Sequence, residues 1–285
     1  ITPIDHLDLV KGSSSHLTLA HIVSGMEGSP EQVEAYCEFY ENEKKQAEMD
    51  GRPYINIMDN SAFELYKNQM PMFTPDELLP LAKKVHATHI VLPDHPAHPS
   101  MVTIDDARRY APIFKDNGFK TFFVPQSDIG DLEDLITAFS WAAGSPLIDY
   151  IGVSILAVPN AYGCEKGNNL TRFNARWKFM NELFDRNILH MAAANGKKIH
   201  FLGMVDGPNE ISLVRDFHID TWDSSAAVWA GLNGIQFDGS PTGLIKGKFE
   251  KHVDFTSHFE DTSIAEANMK VIDDLVVRYN HTERL

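Results

Sequence analysis

Short β-rich runs alternate with helical stretches about eight times along this chain, and that alternation limits its fold more than any other feature. The runs are His16–Ser24, Tyr54–Ser61, His89–Asp94, Lys120–Gln126, Tyr150–Leu156, Lys198–Met204, the stretch around Asp220–Asp223, and Gly234–Asp238. Helices are expected between them. Pro30–Asp50 follows a capping Ser29, and Thr74–Ala87 opens with Pro75 and with Glu77 three residues after Thr74, the capping-box spacing. Further helices are expected over Thr103–Asn117, Asp131–Ala143, Thr171–Asn195 and Pro208–Phe217. Strand followed by helix, repeated, predicts a single (β/α)8 barrel of TIM type over residues 1–240. Residues 241–285 then form a short C-terminal extension, with a helix over Ser263–Tyr279 packed on the barrel. A doubly wound open sheet is the alternative, and no G-x-G-x-x-G follows an early strand to favour it.

In a barrel, chemistry collects where the strands end, because all the carboxyl ends crowd one mouth. The residues at or just past those ends are Asp59, Asp94, Gln126, Ser154 and Asp223. Asp220 and Asp223 flank two residues, so on a strand of period two they face opposite sides, and Asp223, beside the small Ser224 and Ser225, is the better candidate for the site. Each has an ordinary explanation as well. Asp223 can cap the next helix, Asp59 can form an Asx turn with Ser61, Asp94 can shape a turn before His95-Pro96, and Gln126 can satisfy loop backbone. Together they matter more, since several carboxylates in one mouth repel and raise at least one pKa, which stability alone would not favour. Two carboxylates with polar neighbours suit chemistry at an anomeric carbon, one as nucleophile and one handling the leaving group's proton. Asp94 with Gln126 matches the donor and acceptor edge of a purine. Phe63 can stack on a planar base or pack in the core.

The formal net charge of −15 over 285 residues argues against a surface that grips nucleic acid everywhere, and leaves room only for a local basic groove. Lys246, Lys248 and Lys251 are candidates for it, as are Arg172, Arg176, Lys197 and Lys198, although each reads first as a solvated surface charge. Cys37 and Cys164 form no CxxC, so neither a disulfide framework nor a cysteine-rich zinc site is expected. His95 with His98, and His252 with His258, have spacings a metal could use, but hydrogen-bonding histidines are the simpler reading, and neither metal nor cofactor is expected. With no signal pattern in ITPIDHLDLVKG and no apolar run of spanning length, a cytoplasmic protein without membrane contact is expected.

The motifs resemble one family. MDNSAFE (Met58–Glu64), VLPD (Val91–Asp94), VPQ (Val124–Gln126), IGVSIL (Ile151–Leu156), HFLGM (His200–Met204) and DTWDSSAAVWAGLNG (Asp220–Gly234) fall in the order, and near the spacing, of the tRNA-guanine transglycosylase superfamily. That family has a DSGGF-type segment, an aspartate in a third-strand motif, VQGG, a GG-L strand, YLMGVG and DMFDCVxPTRxxRNG. The resemblance covers roughly Leu19 to Asp238. It implies that Asp223 is a nucleophile attacking the sugar C1′ and that Asp59 is the general acid and base. It further implies that Phe63 stacks on the base, that Asp94 and Gln126 recognise guanine or a 7-deazaguanine, and that Gly152 to Ser154 complete the pocket.

Two departures from the family narrow the reading. Trp229 and Leu232 stand where the tRNA enzymes have arginines, and no cysteine follows Cys164, so the family's three-cysteine zinc site is absent in that form. Such a member is most similar to phage and bacterial DNA 7-deazaguanine transglycosylases. The expected activity is therefore exchange of guanine in DNA for a preQ0- or preQ1-type base through a covalent Asp–sugar intermediate. Lys246, Lys248 and Lys251 would flank the DNA, in the host cytoplasm for a phage-encoded member, and the chain could form a homodimer. The alternatives are the same exchange in tRNA, an N-ribosyl or glycoside hydrolase, and a non-catalytic partner subunit.

Overall fold

The computed structural model describes residues 1–13, 15–164, 166–204, 207–238 and 250–280. Seven strands form one sheet: β1 (Ser15–Leu19), β2 (Ile55–Asp59), β3 (His89–Val91), β4 (Lys120–Phe123), β5 (Tyr150–Ser154), β6 (Lys198–Leu202) and β7 (Thr221–Trp222). Their order in the sheet is their order in the chain, and every neighbouring pair is parallel. At least one helix lies between each strand and the next. This is a TIM-type (β/α) barrel with seven strands, and all its carboxyl strand ends open at one mouth.

Residue parity sorts the strands into two apolar layers. Ile57, Val91, Phe122 and Tyr150 form a small inner cluster. Their chain neighbours Met58, Ile90, Phe123 and Ile151 belong to the large cluster shared with the surrounding helices. Side chains two apart on a strand share a face, so Asp59 goes inward with Ile57, and Gly152 and Ser154 go inward with Tyr150. Gly152 is glycine for steric reasons: a Cβ there would lie 2.7 Å from both Leu202 Cδ1 and Phe122 Cε1.

The eighth strand expected at Gly234–Asp238 does not form. Ile235 and Phe237 alternate as a strand would, but they bury against Met269, Val271 and Ile272 of the helix Ser263–Asn280. The Asn268 side chain takes over the ladder's role, accepting from Phe237 N at 2.7 Å and donating to Ile235 O at 2.8 Å and Ala227 O at 3.1 Å. That helix also crosses the helix Ala226–Leu232 so closely that a Cβ on Gly231 would lie 2.3 Å from Ala265 Cα. Between β1 and β7, Val276 and Asp273 of the long helix line a second cavity of about 590 Å³ with His16 and Thr221. The helix thus stands over the seam that an eighth strand would have closed.

Two further expectations need adjusting. The first strand stops at Leu19 and gives way to a helical turn over Ala20–Val23. The helix expected over Thr171–Asn195 is two helices, Asn169–Asp185 and Ile188–Ala194, broken at Asn187, whose φ of 60° is left-handed. Asparagine tolerates that conformation better than most residues, so the break needs no glycine. Among the described residues no helix is long and apolar enough to cross a membrane.

Candidate active site

Asp59, Phe63, Asp94, Gln126, Ser154 and Asp223 line a single cavity of about 790 Å³ at the strands' carboxyl ends. Each arrives by its own local device. After β2 the chain turns on Ser61, held at φ 60°, and the Ser61 N–H donates to Asp59 Oδ1 at 2.6 Å, so the Asx turn forms within the cavity wall. Ser61 Oγ is fixed in turn by His21, whose Nδ1 lies 2.8 Å away and whose Nε2 is 3.2 Å from Glu27. Serine, histidine and glutamate have the composition of a hydrolytic triad, but Ser61 is wholly buried and does not line the cavity. Its work is to bend the strand end.

Asp94 and Gln126 form one hydrogen-bonded unit with Asn60. Gln126 Nε2 donates to Asp94 Oδ2, and Asn60 Nδ2 donates to Asp94 Oδ1 at 2.6 Å and to Leu92 O at 2.8 Å. Gln126 Oε1 is left buried with no partner among the described residues. A buried acceptor without a donor is costly, and a ligand carrying an N–H would relieve it. Ser154 Oγ accepts from the backbone N–H groups of Leu156 and Ala157 at 3.0 and 3.2 Å. Gly152 does not line the cavity; it lies deeper, in the packed interior.

Asp223 faces the cavity, and Asp220 does not. Asp220 accepts from Ile199 N at 2.8 Å and pairs with Lys198 at 2.8 Å. Asp223 Oδ1 accepts from Gly203 N at 2.9 Å and lies 3.0 Å from His200 Nε2.

Four carboxyl groups therefore share one mouth: Asp59, Glu64, Asp94 and Asp223. Burial raises the Asp59 pKa well above the ordinary range, and the nearby Glu64, Asp223 and Asp94 charges add to the rise. Burial lifts Glu64 to about 7 and Asp94 to about 6. The upward shift of Asp59 favours its protonated form relative to an ordinary aspartate, the direction a proton donor to a leaving group needs. A raised carboxyl pKa contributes stability that is full at low pH and is lost as pH climbs from the unfolded to the folded value. For Asp94 that window runs from the ordinary 3.8 to about 6. Asp94→Asn is expected to flatten the fall in unfolding free energy across it, by up to about 3 kcal/mol. Urea unfolding at pH 4 and pH 7 gives the slope, and a slope equal to wild type would contradict the pKa shift.

Several residues sit elsewhere than the sequence suggested. Arg176, expected as a solvated surface charge, is 0 % exposed. It pairs with the equally buried Glu210 and donates to Leu202 O at 2.7 Å, Gly203 O at 3.0 Å and Val153 O at 3.1 Å. Lys197 is likewise used internally, donating to Ser145 O and Ile148 O at 2.6 and 2.7 Å. Arg172 does line the cavity, and it is the one basic side chain among the lining residues. Lys251 is exposed and away from the cavity, its Nζ 5.6 Å from the Phe259 ring centroid. Lys246 and Lys248 lie outside the described residues. His95 pairs with Asp106 at 2.7 Å, His98 hydrogen-bonds Pro96 O, and His252 and His258 pair with Asp254 and Asp5. Among the described residues no group of three or more His, Cys, Asp or Glu is placed to hold a metal ion.

Asn60, Glu64 and His200 belong to the site and were not singled out from the sequence. Glu64 follows Phe63 directly, and His200 is the polar residue at the inward position of KIHFL, so extending the strand-end and parity rules by one step would have found both.

Fold and site together define a (β/α) barrel with a carboxylate-rich mouth, an amide-bearing recognition unit and an exposed aromatic ring, Phe63, at its edge. Compared with known proteins, the chain matches no protein-family model and no curated protein.

Proposed function

We propose that this protein is a base-exchange glycosyltransferase of the tRNA-guanine transglycosylase kind, replacing guanine in DNA with a 7-deazaguanine. The observation that carries the proposal is the meeting of Asp59, Phe63, Asp94, Gln126 and Asp223, from four different strand ends, around one cavity. Its volume of about 790 Å³ lies within the usual range for small-molecule pockets, so a flipped nucleotide can be accommodated.

In the first half-reaction an Asp223 carboxylate oxygen bonds to C1′ and the C1′–N9 bond breaks, its electron pair leaving with guanine. Asp59 supplies the proton that neutralises the departing base. In the second half-reaction the incoming 7-deazaguanine gives a proton to Asp59, its nitrogen bonds to C1′, and the Asp223–sugar bond breaks, returning the electron pair to the carboxylate. Asp94 and Gln126 hold the base edge, and Gln126 Oε1, without a partner among the described residues, supports a ligand that brings an N–H there. Phe63, 43 % exposed, supports stacking at the rim. Arg172 suits a flanking phosphate, an anion that ionised carboxylates in the mouth would otherwise repel. Trp229, which lines the mouth where tRNA enzymes carry arginine, favours DNA over tRNA.

The test is to incubate the protein with preQ0 and guanine-containing DNA or tRNA, then digest and weigh the nucleosides. Expected is a 7-deazaguanine nucleoside from DNA, with free guanine released in equal amount. Incorporation into tRNA alone would move the activity to RNA. Guanine release without incorporation would make the protein a hydrolase, and no reaction with either polymer would overturn the proposal in favour of a non-catalytic subunit.

A further inference from the structure

The Asp223 carboxylate is held by a chain of contacts that the exchange chemistry alone does not require. His200 on β6 and Thr221 on β7 are direct cross-strand partners. Both face inward, and His200 is 1 % exposed. His200 Nδ1 lies 2.7 Å from Thr221 Oγ1, and Nε2 lies 3.0 Å from Asp223 Oδ1. Read as a nucleophile, Asp223 is a carboxylate that can only accept, which calls for the proton on Nε2; in that tautomer Nδ1 accepts from the Thr221 hydroxyl. The Phe122 ring packs edge-on against the imidazole at 5.4 Å and restricts its rotation.

We infer that His200, set in its tautomer by Thr221, is a positioning residue that leaves Asp223 a single oxygen with which to attack. The inference rests on the reading of Asp223 as nucleophile. Oδ1 takes two donors, His200 Nε2 and Gly203 N, while Oδ2 has no hydrogen-bond partner among the described residues. Rotating the carboxylate to exchange its oxygens would break both bonds at once. The backbone on either side is fixed as well, with Asp223 N donating to Phe201 O and Asp223 O accepting from Met204 N at 2.8 Å.

When Oδ2 bonds to C1′, Oδ1 becomes the carbonyl oxygen of the ester and still accepts from the same two donors. When the ester is cleaved, those donors receive the returning negative charge. No group has to reorient between the two half-reactions, which is what a double displacement through one carboxylate needs.

The experiment measures formation of the detergent-stable protein–DNA adduct without acceptor base, and steady-state exchange with preQ0, for wild type, H200F, H200Q and T221V. Expected for H200F is adduct formation slowed about 100-fold, with the KM for preQ0 unchanged, because the base contacts are untouched. H200Q, which can still present an N–H near Oδ1, should recover most of the rate, and T221V should fall between. In the wild-type protein, ¹⁵N imidazole shifts should report the Nε2-protonated tautomer of His200, a reading that does not depend on any variant folding. A folded H200F that reacts at the wild-type rate, an H200Q as slow as H200F, or an Nδ1-protonated wild-type ring would each overturn the positioning role alone. Wild-type protein that forms no adduct and exchanges no base would overturn the base-exchange reading, and this role with it.

Discussion

Asp223→Asn is expected to reduce base exchange by about 10⁴-fold or more while leaving the barrel folded. The amide keeps an oxygen that can accept from Gly203 N and His200 Nε2, so the contacts that seat residue 223 survive. What disappears is the negative charge and the lone pair able to bond C1′. The other acids of the mouth are poor substitutes: burial raises Asp59 well above the ordinary carboxylate range and lifts Glu64 to about 7, and both Asp94 oxygens are engaged by Asn60 and Gln126. The measurement is label exchange into DNA together with the detergent-stable adduct, against thermal unfolding as a control. Exchange within tenfold of wild type in a folded variant would remove Asp223 as the nucleophile of that exchange.

Arg176→Met should destabilise the fold by about 3–5 kcal/mol. The guanidinium and the Glu210 carboxylate are both fully buried, so removing the cation leaves an anion stranded in the interior. Three backbone carbonyls, those of Val153, Leu202 and Gly203, each lose the guanidinium as a donor at the same time, although Leu202 O keeps Ile155 N at 3.1 Å. Urea unfolding of wild type, Arg176→Met and the double variant Arg176→Met with Glu210→Leu separates these contributions. The double variant should regain part of the loss, since replacing both charges spares the burial of one alone. A midpoint for Arg176→Met within error of wild type would show that the pair contributes nothing. The effect reaches the mouth as well, because Gly203, which Arg176 holds through its carbonyl, donates its N–H to Asp223.

Much of this was legible in the residue order, for a physical reason. In a parallel barrel every strand runs to the same mouth, so a polar residue just past each apolar run marks that mouth without knowledge of three-dimensional contacts, and Asp59, Asp94, Gln126, Ser154 and Asp223, chosen that way, line one cavity there. Parity separated Asp223 from Asp220 correctly, as period two requires. The misses share one cause, which is that local pattern does not name the partner. Ile235 and Phe237 alternate as strand residues do, yet their buried faces meet a helix. Arg176 sits in LTRFNARWK with Arg172 and Lys178 nearby in sequence, and it is Glu210 and three distant carbonyls that fit it to the interior. His200 reads as one polar residue in a strand until Thr221, twenty-one positions on, is set beside it.

Asp59 and Asp223 come from the second and the last strands of a sheet whose order is the chain order, so the barrel must curl almost fully round before the two carboxyl groups share a space. A nascent chain released or cleaved before β7 docks has one half of the pair and lacks the site on which the proposed exchange depends. Long-range closure of this kind is slow to fold, and it makes competence an all-or-none property of the finished molecule.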